Sequence, residues 1–263
     1  MANKSPNDNM EQVLVLKDFL SETGDVFRFI LRFFKEAFKP RYEVRAFIRQ
    51  CFIVGYSSLP LISLTGFIIG LVLTMQLRPT LIDYGAESKL PDMVAIAIVR
   101  EIGPILTALI FAGKIGSSMG AELGSMKVTE QIDAMEVSGT NPFNYLVVTR
   151  VMATTLMLPI LVIISDYISL YGAYLGVNLS GITSFSLFFQ KVISALSLND
   201  VIPAFIKSFF FGFAVGIIGC YKGYHSSKGT EGVGKSANSA VVVSSILIFF
   251  IDLLAVQITN LWR

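Results

Sequence analysis

The chain has 263 residues, of which 53% are hydrophobic and only 15% are charged, with a formal net charge of +2. A soluble domain carries about a quarter charged residues, and a bilayer core is crossed by about 20 mostly apolar residues, which recur along this chain. The composition therefore excludes a soluble globular protein and predicts an all-α polytopic membrane protein.

The N-terminal segment predicts an amphipathic helix over residues 25–39, closed by Pro40. An apolar stripe and a basic stripe run side by side along it: Phe27, Ile30, Leu31, Phe34 and Phe38, then Arg28, Arg32, Lys35 and Lys39. Such a helix lies in the membrane interface over anionic lipid, or it packs on the protein's own cytoplasmic side. We assign residues 1–50 to this N-terminal region and residues 51–263 to a membrane domain.

Five spans are predicted in the membrane domain, at residues 51–77, 93–118, 151–176, 201–221 and 237–262. Five spans place the termini on opposite sides of the membrane. The N-terminal segment is rich in Lys and Arg, and such residues mark the cytoplasmic side of a span. We therefore expect a cytoplasmic N-terminus and a periplasmic C-terminus. The basic patch fits a membrane surface, so no nucleic-acid partner is predicted.

Ionisable residues interrupt four of these spans at similar depths. At 1.5 Å per residue, they lie roughly 9–15 Å below the outer ends of their spans. They are Arg100, Glu101, Asp166, Lys207 and Asp252. Isolated charges in a bilayer cost at least about 2.5–3.5 kcal/mol each, so they pair or line a polar cavity. Three roles stay open for these charges: holding the helices together, lining a substrate cavity and transmitting motion between helices.

No catalytic or metal-binding set accompanies these charges. The stretch GTEGVGKS at residues 229–236 matches a phosphate loop by letter, but that motif needs a strand–turn–helix context inside a nucleotide-binding domain. The short polar connection between two spans has no room for one. His225 is the only histidine, which excludes a two-histidine metal site. We expect no enzyme activity, metal or cofactor in this chain.

Glycines recur four residues apart in the second and fourth spans, at positions 116, 120 and 124, at 212 and 216, and at 219 and 223. This spacing predicts close helix–helix approach in lipid.

The connection after the second span predicts a short amphipathic helix over residues 126–137, within a segment at about 122–139. Thr129, Ile132, Met135 and Glu136 share one face of it, and Gly139 and Pro142 stop it. A cytoplasmic helix parallel to the membrane is either a docking element or a helix packed only on its own protein.

The sequence REIGPILTALIFAGKIGSSMGAELGSMKVTEQIDAME resembles the signature region of the MlaE-type permeases, the membrane subunits of ABC transporters that work with MCE proteins. The likeness extends from about Thr65 to the C-terminus. It implies an ABC-exporter-like permease half, with an interfacial helix and five spans, in the bacterial inner membrane. It also implies a homodimer, separate ATPase subunits that hold ATP and Mg²⁺, often a STAS-domain protein, and a periplasmic MCE ring.

The resemblance also implies roles for individual residues. Residues 126–137 match the coupling helix that fits the ATPase, with contacts at Glu130, Gln131, Ile132 and Met135. The charges Arg100, Glu101, Lys207 and Asp252 match positions near the lipid cavity, and the cavity lining matches Leu73, Leu77, Leu81 and Tyr84. Asp166 departs from the family pattern, and is either an added partner for Lys207 or a polar residue facing a loop.

These observations predict a permease that moves phospholipid between the inner membrane and a periplasmic MCE-domain carrier, driven by ATPase subunits. Two alternatives stay open. One is an ion-coupled secondary transporter that uses Glu101, Lys207 and Asp252 as a proton relay, and the other is a passive scaffold that anchors the MCE ring.

Overall fold

A computed structural model describes residues 6–38, 43–178 and 184–261, with side chains from residue 21 onward. Lys39, Pro40 and Trp262, which belong to two of the predicted segments, lie outside these ranges. The described chain is helical: α1 Pro6–Ala37, α2 Val44–Asp83, α3 Glu87–Val128, α4 Gln131–Val137, α5 Phe143–Asn178, α6 Phe185–Ala195, α7 Leu198–Tyr224 and α8 Thr230–Leu261.

Five of these helices, α2, α3, α5, α7 and α8, are long and apolar enough to cross a membrane. Each contains one of the predicted spans and extends beyond it at one or both ends. The protein is therefore an all-α multi-pass membrane protein, as predicted. Helix α2 begins at Val44, so the first membrane helix starts before residue 51.

Helix α5 lies between α2 and α7, and it packs most extensively on α2. Helix α7 also packs on α8, which in turn packs on the inner half of α3. One buried cluster, which includes Phe111, Phe143 and Phe211, joins these helices, and a second, around Leu90 and Phe188, lies where the short helix α6 covers α3. Helix α6 was not predicted from the sequence.

Glycines allow the backbones of these helices to pack in direct contact. A methyl group at Gly70 of α2 would overlap the backbone of Ser169 in α5. Gly212 and Gly216 of α7 likewise face Thr154 of α5, as the four-residue spacing predicted. In lipid, where apolar burial gives no drive for association, such close packing stabilises the bundle.

Helix α1 uses its two faces differently. Phe29 and Phe33 are buried against the membrane domain, and the Arg32 guanidinium lies 4.3 Å from the ring centroid of Phe143. Glu36 accepts a hydrogen bond of 2.9 Å from Asn141 Nδ2. The predicted apolar stripe is divided: Ile30 packs against the core, whereas Phe27, Leu31, Phe34 and Phe38 are exposed, with Arg28 beside them. One face of the helix therefore packs on the protein itself, and contact of the exposed face with the membrane interface stays a prediction.

The packing at Gly70 predicts a large effect of a single methyl group. Gly70→Ala forces α2 and α5 apart, and we expect a loss of about 1–3 kcal/mol in the free energy of unfolding, the range for overpacked cores. Thermal unfolding in detergent measures this loss. Gly113→Ala is the matched control, because nothing lies within 4 Å of the added methyl group. Equal unfolding midpoints for the two variants would contradict the assigned packing.

Candidate functional site

Lys207 is the centre of a cluster of charges in the outer half of the bundle. Its Nζ donates to Glu101 Oε2 at 2.6 Å and to Asp252 Oδ1 at 2.8 Å. The Lys207 side chain is 5% exposed and that of Asp252 is 14% exposed. A buried charge requires partners of opposite charge, and here two helices other than its own supply them. The ammonium thus joins α3, α7 and α8.

Arg100 lies at the edge of this cluster. Its Nε is 3.6 Å from Glu101 Oε1, and its Nη2 donates to Asn260 Oδ1 at 3.5 Å. The structure therefore brings the four predicted charges together. Two cations and two carboxylates give the cluster no net charge.

Every charged residue of α3 between Met93 and Ser118 lies in a π-helical segment. Arg100 and Glu101 are in Ile98–Ile102, and Lys114 is in Ala112–Gly116, where its Nζ donates to the carbonyl oxygen of Ser57 in α2. Such wide turns are rare in helices and occur frequently at functional sites. Here they coincide with two of the places where α3 forms polar contacts with other spans.

A cleft of ≈ 650 Å³ opens between α7 and α8 next to the cluster. Its wall is almost entirely apolar, with Lys207 on one side and Asn199 and Thr259 near the outer end. The apolar lining consists of Leu198, Ile202, Pro203, Ile206, Phe210, Ile251, Leu254, Ala255 and Ile258. A second pocket of ≈ 20 Å³, large enough for one water molecule, is lined by Arg100 and Glu101 among others. The site therefore combines a long apolar surface with a small charged pocket.

The four predicted cavity residues lie outside this cleft, and their place in a lipid cavity stays a prediction. Leu81 is buried in the outer core cluster, and Leu73 and Leu77 pack against that cluster, while Tyr84 is 81% exposed. None of the four lines the cleft between α7 and α8. The lining of that cleft was missed because its apolar residues recur every three or four positions, as they do on any lipid-facing helix.

Asp166 is neither an ion-pair partner of Lys207 among the described residues nor a residue facing a loop. It lies in the middle of α5, beside Gly103 of α3.

At the inner end, the predicted helix over residues 126–137 is divided in two. Helix α3 continues to Val128, Thr129 Oγ1 donates to Ser125 O at 2.8 Å, and Glu130 has φ 59°, in the left-handed region. This turn ends α3 and starts α4 in a new direction. A single helix across these positions was therefore wrong.

The four predicted ATPase contacts differ in exposure. Glu130 and Gln131 are exposed and Met135 is half-buried, whereas Ile132 is 1% exposed and packs in the protein's own core. Val137, which was not predicted as a contact, is 91% exposed. Ile132 therefore anchors α4, and the outward surface consists of the residues beside it.

An ion pair between the buried guanidinium of Arg150 and the exposed carboxylate of Glu122 joins the inner end of α3 to α5. Arg150 Nη2 donates to Glu122 Oε1 at 2.7 Å, and its Nη1 donates to Leu146 O at 3.0 Å. The Arg150 side chain is 4% exposed, so this contact positions the segment that leads into α4.

The phosphate-loop match at residues 229–236 lies at the start of α8. Gly229 has φ 93°, and α8 is helical from Thr230 onward, after the helix α7. This context differs from the strand–turn–helix that the motif needs.

Comparisons with known proteins agree on one family. The family model described as "Permease MlaE" matches residues 47–258. A probable ABC transporter permease protein of Rickettsia typhi is 40% identical over 221 residues, which cover 84% of this chain and 85% of that protein. A probable ABC transporter permease protein of Synechocystis is 37% identical over 238 residues, which cover 90% of this chain and 87% of that protein. The intermembrane phospholipid transport system permease protein MlaE of Haemophilus influenzae is 35% identical over 213 residues, covering 80% and 81%.

Removing the central ammonium tests the charge cluster. Lys207→Met takes away the cation that Glu101 and Asp252 share, and breaking a buried pair in this way costs about 3–5 kcal/mol. We expect a loss of this size in the free energy of unfolding, measured in detergent or lipid.

Lys127→Met is the matched control for that change. It breaks a 2.8 Å pair with Asp133 whose side chains are 36% and 53% exposed, so the loss should stay below about 1 kcal/mol. Comparable losses in the free energy of unfolding would show that the buried charge cluster contributes no more to stability than an exposed ion pair does.

Proposed function

The chain belongs to the MlaE permease family of ABC transporters, and from this premise we propose that it moves phospholipid between the bacterial inner membrane and a periplasmic MCE-domain carrier. It is a transport subunit rather than an enzyme. ATP hydrolysis takes place on separate ATPase subunits, which hold the ATP and Mg²⁺. The N-terminus is cytoplasmic and the C-terminus periplasmic.

The cleft between α7 and α8 is the observation that carries this proposal. Ligand pockets are mostly apolar surfaces of about 300–1,000 Å³ with a few polar groups, and the ≈ 650 Å³ cleft has this character. Its apolar walls suit acyl chains. Asn199, Lys207 and Thr259 in its wall supply polar groups for a headgroup. A phospholipid has both parts.

The surface around α4 is the proposed ATPase contact. Glu130, Gln131 and Val137 are exposed, and Met135 lies beside them. Buried Ile132 and the Glu122–Arg150 pair tie this surface to α3 and α5. Movement of an ATPase bound there would pass into α3, whose outer half carries Glu101. This rigid connection favours a driven permease over a passive scaffold.

A homodimer completes the proposed assembly. Helix α8 leaves large side chains exposed along its length, including Ile246, Phe249 and Phe250. A second copy of the chain, together with lipid, would cover such a face, and the MCE ring would lie on the outer side. A STAS-domain protein would bind with the ATPase subunits on the inner side.

Filling the cleft tests the proposed lipid path. In Ala255→Trp the large indole occupies the cleft, and we expect ATP-dependent phospholipid transfer by the reconstituted complex to fall at least about tenfold, since displaced acyl chains lose their apolar contacts. Fluorescent phospholipid passing from proteoliposomes to the MCE protein measures the transfer. Binding of the ATPase subunits to the Ala255→Trp permease should be unchanged.

Ile163→Trp is the control, because Ile163 is 55% exposed on α5 and does not line the cleft. Equal transfer by the two variants would contradict the assigned path. A pH gradient applied without ATPase subunits should drive no transfer. Transfer under that condition would support the ion-coupled alternative and overturn the proposed energy source.

A further inference from the structure

The carboxyl group of Asp166 on α5 lies in the outer half and forms no ion pair with the cluster around Lys207 among the described residues. Oδ1 of Asp166 is enclosed, with no hydrogen-bond partner among the described residues. A methyl group at Gly103 would overlap this oxygen, so the carboxyl lies directly against the backbone of α3. Gly103 follows Glu101 by two residues. Asp166 therefore lies next to the segment that carries Arg100 and Glu101.

The charged groups near Asp166 are few. Its own helix has no other charged residue after Arg150, and its main neighbour α2 has none between Arg49 and Arg78. The segment Gly103–Phe111 of α3 also has none. The remaining groups are those of the cluster and its small pocket: Arg100 and Glu101 on α3, Asp200 and Lys207 on α7, and Asp252 on α8.

Three carboxyl groups already accompany only two cations there, so an ionised Asp166 would add a further uncompensated negative charge. Both carboxylates next to Lys207 are within hydrogen-bond distance of its Nζ. An unpaired carboxylate in the hydrocarbon region costs at least about 2.5–3.5 kcal/mol, and binding a proton removes that cost. Asp166 can avoid the cost only as a neutral carboxylic acid or beside a free cation.

We propose that Asp166 is a proton-binding site, which holds a proton while Lys207 is bound to Glu101 and Asp252 and becomes the counter-ion of Lys207 when those carboxylates are withdrawn. In that exchange the O–H bond of the acid breaks, the electron pair stays on the carboxylate, and the proton passes to solvent water. The long, flexible lysine side chain can follow either partner.

This exchange gives the cluster a second balanced state. Movement of both α3 and α8 away from α7 would otherwise leave an unpaired ammonium inside the membrane. With Asp166 on α5 as an alternative partner, Lys207 remains compensated while Glu101 and Asp252 move with their helices. The inference rests on the charge geometry and holds whether or not the cleft transports phospholipid.

Infrared spectroscopy of the full-length chain in lipid nanodiscs tests the resting state. A protonated carboxyl has a carbonyl band distinct from that of a carboxylate, and ¹³C-labelled aspartate shifts this band for assignment. At neutral pH we expect a protonated aspartate band that Asp166→Asn removes. Asp92→Asn, which changes an aspartate paired with Lys89 at the outer end, should leave the band in place. If Asp166→Asn removes no band, the proposal fails.

A second comparison tests the exchange itself. In Glu101→Gln with Asp252→Asn, Lys207 loses both partners, and we expect the Asp166 band to disappear. Adding Lys207→Met should restore it. A band that persists in the double variant would overturn the counter-ion role.

The unfolding midpoint of the single variant Asp166→Asn tests the proposal even if the double variant does not fold. Asparagine preserves the shape of a neutral acid, so Asp166→Asn should keep the wild-type unfolding midpoint. A loss as large as that of Lys207→Met would show that Asp166 is an ionised partner, and this would also overturn the proposal.

Discussion

The Lys207 ammonium, held between Glu101 and Asp252, joins three spans at a depth where water does not compensate a charge. In the bilayer, separating α3, α7 and α8 would expose these charges to hydrocarbon. That cost fixes how the outer halves of the helices lie relative to one another. Lys207 and Asp252 join α7 and α8 at one level, and most of the cleft between these helices lies on the outer side of that level.

The inner half is held together by different contacts. Gly212 and Gly216 let the backbones of α5 and α7 approach closely there, and the Glu122–Arg150 pair ties α3 to α5. Helix α3 takes part in both halves, since it carries Glu101 near its outer end and leads into the exposed segment around α4. A movement at α4 therefore passes through the turn at Glu130 into α3, which is helical from there to the charges and contains two π-helical segments.

The five spans could be predicted because length and hydropathy alone decide whether a helix crosses a bilayer. The meeting of Arg100, Glu101, Lys207 and Asp252 followed from their common depth, since the rise per residue is fixed. The cleft could not be predicted, because Ile202, Ile206 and Phe210 have the spacing of an ordinary lipid-facing stripe. The break at Glu130 was also missed, because a non-glycine residue adopts the left-handed conformation there without glycine or proline as a signal.

The stability of a variant in which Lys207 and its two carboxylate partners are all neutral tests the central role of Lys207 most directly. Breaking a buried ion pair leaves an uncompensated charge, whereas replacing all its members together is often neutral or stabilising. Lys207→Met combined with Glu101→Gln and Asp252→Asn should therefore be more stable than Lys207→Met alone, as measured by thermal unfolding. If the triple variant loses at least as much stability as the single variant, charge compensation around Lys207 does not hold the outer half of the bundle together.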